Sequence, residues 1–394
     1  MQLEHQTPVF SRGAARVPAA GTVTMPMGYL REKLQPGEPL PGLVPRGLPE
    51  VFARCDELVI SFSGKLGDTL LAFGAVAAVL KYLELIRPER LPLVRIRGPH
   101  TTLFDHLDVL DQFDVRTTEP IPATARTVLI GDRSGTSTSA QAGVGRVLRV
   151  YTCDPEEPPC WSSGNNAYPA LPARYFLTIE RRLGVRLDDA GFMPLLHTDE
   201  LEAASADLTA LNVGIITATS WPMRKDYGLP RFLEALRQLS DAKGQPIRAL
   251  IVSGREGAAA PQFEAALNNV TVEFLHNAHY GLAAQALAAC DLVIGNDTGL
   301  THLAAATRPS DGSGPEVIGL HARHSHTKWR TGLPWHHAIA TAFSEKMHRE
   351  DRCPVRDRID DRAFGAAANI ASITPAQLAG IAGDILKPLA KVSR

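Results

Sequence analysis

The sequence predicts an α/β protein of two domains, each on a mainly parallel sheet, with a C-terminal helix packing back on the body. Three observations predict it. Short β-prone runs alternate with helical periodicities between residues 57 and 130, and a second such series spans residues 211 to 320. Glycine-containing loops follow strands and precede helices in both series. The tail carries a self-contained helix start.

Residues 1–50 are rich in Pro and Gly, with PGEPLPGLVPRGLP near their end, and read as an irregular N-terminal extension. Residues 51–205 form the first α/β domain. Leu58 to Phe62 is its opening strand, and Asp68 opens an apolar helix that ends near Arg87-Pro88. Leu93 to Ile96 and Thr127 to Ile130 are the next strands. Residues 131–172, rich in Ser, Thr, Gly and Pro, read as long loops that either line a crevice or are plain surface insertion.

The second domain covers residues 206–345. Strands are expected at Val213–Ile216, Ala249–Ser253, Val270–Phe274, Leu292–Gly295 and Val317–Leu320, the last closing the series. Helices are expected over Pro230–Leu239, Gln262–Leu267 and Ala283–Ala289, with another starting just after Asp297. Residues 346–394 are a linker and a helix. Thr374 caps it, Pro375 sits in the first turn, and Gln377 has capping-box spacing. Leu378, Ile381, Ile385 and Leu389 keep helical spacing after it.

Composition narrows the function. With 394 residues, 44% of them apolar and 21% charged, the chain is globular. Its net charge of −1 provides no basic field for nucleic acid or an anionic membrane. No continuous apolar run reaches the roughly 18 residues of a spanning helix; the longest, Leu70 to Leu80, stops at Lys81. The first thirty residues show no secretory core. The five cysteines, Cys55, Cys153, Cys160, Cys290 and Cys353, are scattered and lack metal-ligand pairing. A reducing, cytoplasmic setting is expected.

Two strand-to-helix loops carry chemistry. The first is Ser63-Gly64-Lys65-Leu66-Gly67-Asp68. Gly64 and Gly67 permit a tight turn around Lys65, but the segment lacks the Walker pattern, and no GxGxxG occurs in the chain. Asp68 has two readings, a helix N-cap or a general base at the carboxyl edge of a parallel sheet, facing the crevice between domains. The second loop is Gly295-Asn296-Asp297-Thr298-Gly299-Leu300-Thr301-His302. Backbone N–H groups at a helix N-terminus suit a phosphate or pyrophosphate, Gly299 removes a blocking side chain, and the Thr298 and Thr301 hydroxyls can donate. Asp297 is either an N-cap or a residue for sugar hydroxyls, since a carboxylate beside a pyrophosphate repels it. His302 alone reads as a structural histidine more readily than as a catalyst.

At these loops a resemblance emerges. LVISFSGKLGDTLLAFGAVAAVL resembles the opening strand, loop and helix of glycosyltransferase family 9, the bacterial heptosyltransferases, and CDLVIGNDTGLTHLAAA is similar to that family's second loop. ITATSWPMRKDYGLPRFLEAL resembles its phosphate-contacting loop, and VSGREGAAAPQFEAAL its nucleotide-binding turn. The resemblance covers residues 57 to 330 in order, most closely in the second domain. It implies a GT-B architecture of two facing Rossmann-like domains, the first binding the acceptor and the second the nucleotide sugar. It also implies an inverting, metal-independent transfer of a sugar, typically heptose from ADP-heptose, with no cofactor. On it, Asp68 is the general base. Lys225 is the phosphate-binding lysine with Thr219 and Ser220 beside it, and Glu256 is the ribose-binding acid. Asp297 faces donor sugar hydroxyls, and Thr298 to Leu300 contact the pyrophosphate. The expected partners are a nucleotide-diphosphate sugar and an acceptor hydroxyl on a lipopolysaccharide core, a natural product or a protein.

The chain departs from the family in its long N-terminal extension, its first domain and the Pro222-Met223-Arg224 approach to Lys225. Alternatives on the same scaffold are a nucleotide-sugar epimerase and a non-catalytic nucleotide-sugar-binding protein. His321-x-x-His324-x-His326, with His336-His337, matches no standard zinc spacing. With Trp329 and Trp335 these histidines read as rimming the donor pocket or filling the domain's edge, on loop. Asp360-Asp361 reads as solvated surface, and no GxSxG elbow supports a hydrolase.

Overall fold

A computed structural model describes residues 8–13, 24–25, 29–30, 34–41, 48–53, 56–62, 65–98, 100, 102–103, 126–129, 148–149, 170–188, 191–198, 209–253, 268–309, 311–349, 365 and 367–386. Ser63, Gly64, Glu256, the expected helix at Gln262–Leu267, nearly all of the 131–172 loops, Asp360-Asp361 and Leu389 lie outside the described residues. The chain divides into two units: residues 1–15, 197–351 and 358–394 make the first, residues 16–196 and 352–357 the second. Both sheets are mainly parallel, as alternating strands and helices require.

The chain begins with β1 (Val9–Ser11), then enters the second unit through a short hairpin, β2 (Thr24–Met25) and β3 (Tyr29–Leu30), and α1 (Leu48–Ala53). The core of that unit follows: β4 (Glu57–Ser61), α2 (Leu66–Leu71), α3 (Phe73–Ile86), β5 (Leu93–Arg97), β6 (Arg126–Leu129), β7 (Leu148–Arg149) and α4 (Leu171–Leu183). Its sheet runs β5-β4-β6-β7, every pair parallel. Within it α3 packs on α4 so closely that a Cβ on Gly74 would collide with the Pro172 carbonyl. The stretch Leu66–Ile86 is long and apolar enough to cross a membrane by length and composition, longer than the continuous run Leu70 to Leu80 expected from the sequence. It is 78% buried inside the unit, as a core helix is.

The chain returns through β8 (Leu196–Thr198) to the first unit. There it forms β9 (Leu211–Ile216), α5 (Pro222–Lys225), α6 (Leu229–Lys243), β10 (Ile247–Ser253), β11 (Val270–His276) and α7 (Tyr280–Ala288). It goes on to β12 (Leu292–Asn296), α8 (Gly299–Ala306), β13 (Thr307–Pro309), β14 (Glu316–His321), β15 (His336–Ala340), α9 (Ala342–Arg349) and α10 (Pro375–Ile385). The seven-stranded sheet has the order β1-β15-β14-β12-β9-β10-β11. All its pairs are parallel except β1 on β15.

Strand periodicity sorts this unit's core onto two faces. Val213, Ile215, Ile251 and Ile294 join Phe232, Leu236 and Leu239 of α6 and Leu378, Ala382 and Ile385 of α10. Ile216, Val252 and Val293 join Leu287 of α7 and Ala304 and Ala305 of α8 on the other face. The terminal helix therefore packs back on the body through α6. Its capping box forms as expected, Thr374 Oγ1 accepting from the Gln377 amide at 3.2 Å.

Three expectations are corrected. Residues 9–11, inside the stretch read as irregular, form an edge strand, because β15 offers them an open backbone edge. Val317–Leu320 does not close the series: His336-His337, read as loop, lie in the buried strand β15. Its first two positions are polar, which hides the strand from a hydrophobic pattern. Helix α2 starts at Leu66, two residues before the expected Asp68, with Lys65 at the N-cap.

Candidate functional site

Ligands of open parallel sheets bind at the carboxyl ends of the strands. In the first unit, neighbouring strands β9, β12 and β14 end together and each continues into a loop that carries polar side chains. The β9 loop supplies Thr219, Ser220, Trp221 and Lys225, the β12 loop Asn296 to Thr298, and the β14 loop His321 to His324.

Lys225 and Asp297, 72 positions apart, meet here. The Lys225 Nζ donates to Asp297 Oδ2 at 2.5 Å and to the Asp297 carbonyl at 3.3 Å. Both side chains are largely buried, 11% and 5% exposed. Burial alone would raise the Asp297 carboxyl, but Lys225 and then His321, His324 and His302 hold it well below the usual carboxylate range. Asp297 is not the N-cap of α8; Thr298 takes that position, with no side-chain capping bond.

Asn296, a residue not among those expected to line the site, holds the two loops in register. Its Oδ1 accepts from the Tyr227 amide at 3.0 Å, and its Nδ2 donates to the Thr217 carbonyl at 3.1 Å and to Asp226 at 3.3 Å. It is fully buried. The signal lay in the Gly-Asn-Asp string itself, where a buried amide can serve both neighbouring loops. Gly295 is required for a different reason: a Cβ there would collide with the Thr301 hydroxyl.

Thr301 accordingly departs from its expected part. Its hydroxyl donates to the Asn296 carbonyl at 2.7 Å, and the residue is completely buried, so it braces the loop from within. Thr298, Gly299 and Leu300 are half-buried at the start of α8, where N–H groups and the positive end of the helix dipole favour an anion. Thr219 is half-buried and accepts from the Trp221 amide at 3.4 Å, while Ser220 is exposed. Trp221, itself exposed, lies under the Arg323 guanidinium at 4.6 Å and the Lys225 ammonium at 5.9 Å.

The histidines divide by what holds them. His326 Nε2 meets Glu345 at 2.8 Å, and His337 Nε2 meets Glu316 at 2.7 Å. His336 Nδ1 meets the Thr331 hydroxyl at 2.9 Å. His302, 3% exposed and 5.7 Å from the His336 ring, has no partner at Nδ1. Burial pushes His302 down to about 4, and His321 and His324 to about 3. Among the described residues, no group of three or more His, Cys, Asp or Glu is arranged to hold a metal ion.

In the second unit, Asp68 occupies the first turn of α2, half-buried, next to Gly67 and about one turn before the break at Ala72. It is not the N-cap; in the first turn its charge complements the positive end of the helix dipole. Lys65 is exposed.

Residues 175–356 match the family model described as glycosyltransferase family 9 (heptosyltransferase). A family 9 glycosyl transferase from Veillonella parvula is similar at TM-score 0.55 and 12% identity, over 84% of this chain and 98% of that one. The ADP-heptose LPS heptosyltransferase II of E. coli is similar at TM-score 0.53 and 12% identity, over 84% and 99%. No curated protein matches the chain. The structural likeness shows the fold, a GT-B type of α/β architecture. The matched region spans the strands and loops of the first unit described above, and over it the chain is similar to the glycosyltransferases of family 9.

Proposed function

We propose that the chain transfers heptose from ADP-heptose to an acceptor hydroxyl, with inversion and without a metal ion. The observation that carries this reading is the buried Lys225–Asp297 pair beside the N-terminus of α8. Such a pair is a poised exchange site. A diphosphate brought to the helix N-terminus competes for the ammonium, and the carboxylate it displaces turns to the sugar's hydroxyls. Lys225 and the Thr298–Leu300 amides then offset the charge that grows on the leaving diphosphate, which is the work a metal ion does elsewhere.

Thr219 and Ser220, on the loop that leads to Lys225, are further hydroxyl donors to the phosphates in this reading. Glu256 retains the ribose role that the family resemblance implies. Asp68 is the general base. As the acceptor oxygen bonds to the anomeric carbon, the bond from that carbon to the diphosphate oxygen breaks. ADP leaves with the electron pair, and the acceptor's proton passes to the Asp68 carboxylate. Attack from the face opposite the leaving group inverts the anomeric centre. The acceptor belongs to one of three classes: a lipopolysaccharide core, a natural product or a protein. A reducing, cytoplasmic setting goes with this reading; buried Cys290, its thiol pushed up to about 12 by burial, is inert there.

The test is Asp68→Asn, which keeps the shape and removes the base. ADP release from ADP-heptose and acceptor should fall roughly 10²- to 10⁴-fold, the usual contribution of a general base. The melting temperature should stay within a degree or two of wild type. Undiminished turnover would end the assignment. Wild-type turnover surviving exhaustive chelation supports the metal-free scheme, and proton NMR of the product's anomeric signal reports inversion or retention.

A further inference from the structure

We infer that His321, the last residue of β14, and His324, on the loop after it, grip hydroxyl groups of the transferred sugar. This rests on the donor reading above and extends it to residues outside the motifs that suggested it. The first support is position. β14 lies beside β12 in parallel register, Asn296 opposite Leu320, and the Asp297 amide donates to the Leu320 carbonyl at 3.1 Å. His321 therefore ends the strand next to the one that presents Asp297, and both His321 and His324 lie within electrostatic reach of that carboxylate.

The second support is unmet hydrogen bonding. Roughly nine in ten buried polar groups have a partner. His321 is 1% exposed, yet neither of its ring nitrogens has one, and the buried Nδ1 of His324 has none. His326 and His337, from the same stretch of chain, are anchored on Glu345 and Glu316. His302, His326 and His336 each leave one ring nitrogen unpaired as well, but among the described residues His321 is the buried ring that leaves both.

The third support is the kind of ligand such rings suit. A neutral imidazole offers one donor and one acceptor, the complement of a hydroxyl, and it adds no charge to attract phosphate. Burial keeps both rings uncharged at neutral pH. The site then divides its work. Lys225 and the start of α8 take the diphosphate, while Asp297, His321 and His324 take the polyhydroxylated ring. His324 lies tilted against Trp329 at 5.1 Å, which fixes its plane.

The experiment is calorimetric titration of the full chain with ADP and with ADP-heptose. The wild type should bind ADP-heptose more tightly than ADP. In His321→Phe and in His324→Leu, ADP-heptose affinity should fall by about three- to tenfold, the worth of one or two neutral hydrogen bonds. Affinity for ADP should change by less than about twofold, and His324→Asn, which keeps polar atoms near the Nδ1 position, should recover much of the loss. Equal losses for both ligands, or an undiminished margin of ADP-heptose over ADP, would overturn the assignment while leaving the donor reading intact. A wild type that binds neither ligand would overturn the donor reading and this one with it. His324 is only half-buried, so its two variants decide the matter even where His321→Phe does not fold.

Discussion

Breaking the Lys225–Asp297 pair from its two sides has unequal consequences. Lys225→Met leaves a carboxylate 5% exposed without its ammonium, a loss of about 3–5 kcal/mol in comparable buried pairs. Asp297→Asn leaves a lysine whose long stem can carry its charge toward water, so the loss is smaller. Urea titrations should rank the variants in that order, with the double variant more stable than Lys225→Met alone. A lowered carboxylate pKa contributes stability that is full above the unfolded value near 3.9 and is lost as pH falls below it. In Lys225→Met burial raises the Asp297 carboxyl, so the variant relieves its penalty by taking up a proton. The gap to wild type should therefore start to shrink as pH falls while still above about 4, and go on shrinking below it. The buried histidines act in a higher window. Their folded pKa values are lowered, so the unfolded chain takes up protons first, and stability falls as pH drops below about 6.5. Each contributes a slope of about 1.4 kcal/mol per pH unit, and denaturant midpoints at pH 7 and pH 5 should show a smaller drop for His321→Phe than for wild type. At this scale Lys225 and Asp297 were legible because each sits in a string with few competing uses. The part of Asn296 was not, and His321 and His324 were read only as rimming the donor pocket or filling the domain's edge, because their parts depend on which loops lie beside them.

The secondary-structure elements that sequence reads well are those whose signals are local. The start of α10 is an example, since the Thr374–Gln377 box and Pro375 are contained within one turn. Thr374→Ala should destabilise by about 1 kcal/mol, seen as a shift in urea midpoint without a change in slope. β1 is the opposite case. Three residues in a Pro- and Gly-rich stretch become a strand only because β15, more than 300 positions later, presents an edge. Arg330 donates to the Ser11 and Arg12 carbonyls at 3.4 and 3.1 Å, and the Gly13 amide donates to His337 Nδ1 at 2.8 Å. Deleting residues 1–13 uncovers the edge of β15 and removes these two acceptors and the Gly13 donor. The truncated chain should melt lower and elute at larger size in gel filtration as concentration rises, since an open edge invites pairing. A monomer of unchanged stability would show that β1 contributes nothing to the sheet.

For the molecule as a whole, chain connectivity and division of labour do not coincide. The unit that carries Lys225, Asp297, α8 and the histidines is assembled from three stretches of chain, while Asp68 belongs to the other unit. The sequence shows two alternating series and so two sheets, but not that the N-terminus belongs to the later one; that follows from a non-local pairing no periodicity encodes. A fragment of residues 197–394 has every described residue of the proposed donor site and lacks both β1 and Asp68. It should bind ADP within a few-fold of the full chain and release no ADP from ADP-heptose in the presence of acceptor. It should also self-associate through β15 unless a peptide of residues 8–13 is supplied, because the peptide restores the antiparallel pairing Val9 to Ala340 and Ser11 to Ala338. Calorimetry, a coupled ADP-release assay and gel filtration read the three outcomes separately. Transfer by the fragment would exclude Asp68 as the base whatever its other properties. Loss of ADP binding in a fragment that is folded by circular dichroism would place the decisive donor contacts outside the unit that holds Lys225 and Asp297.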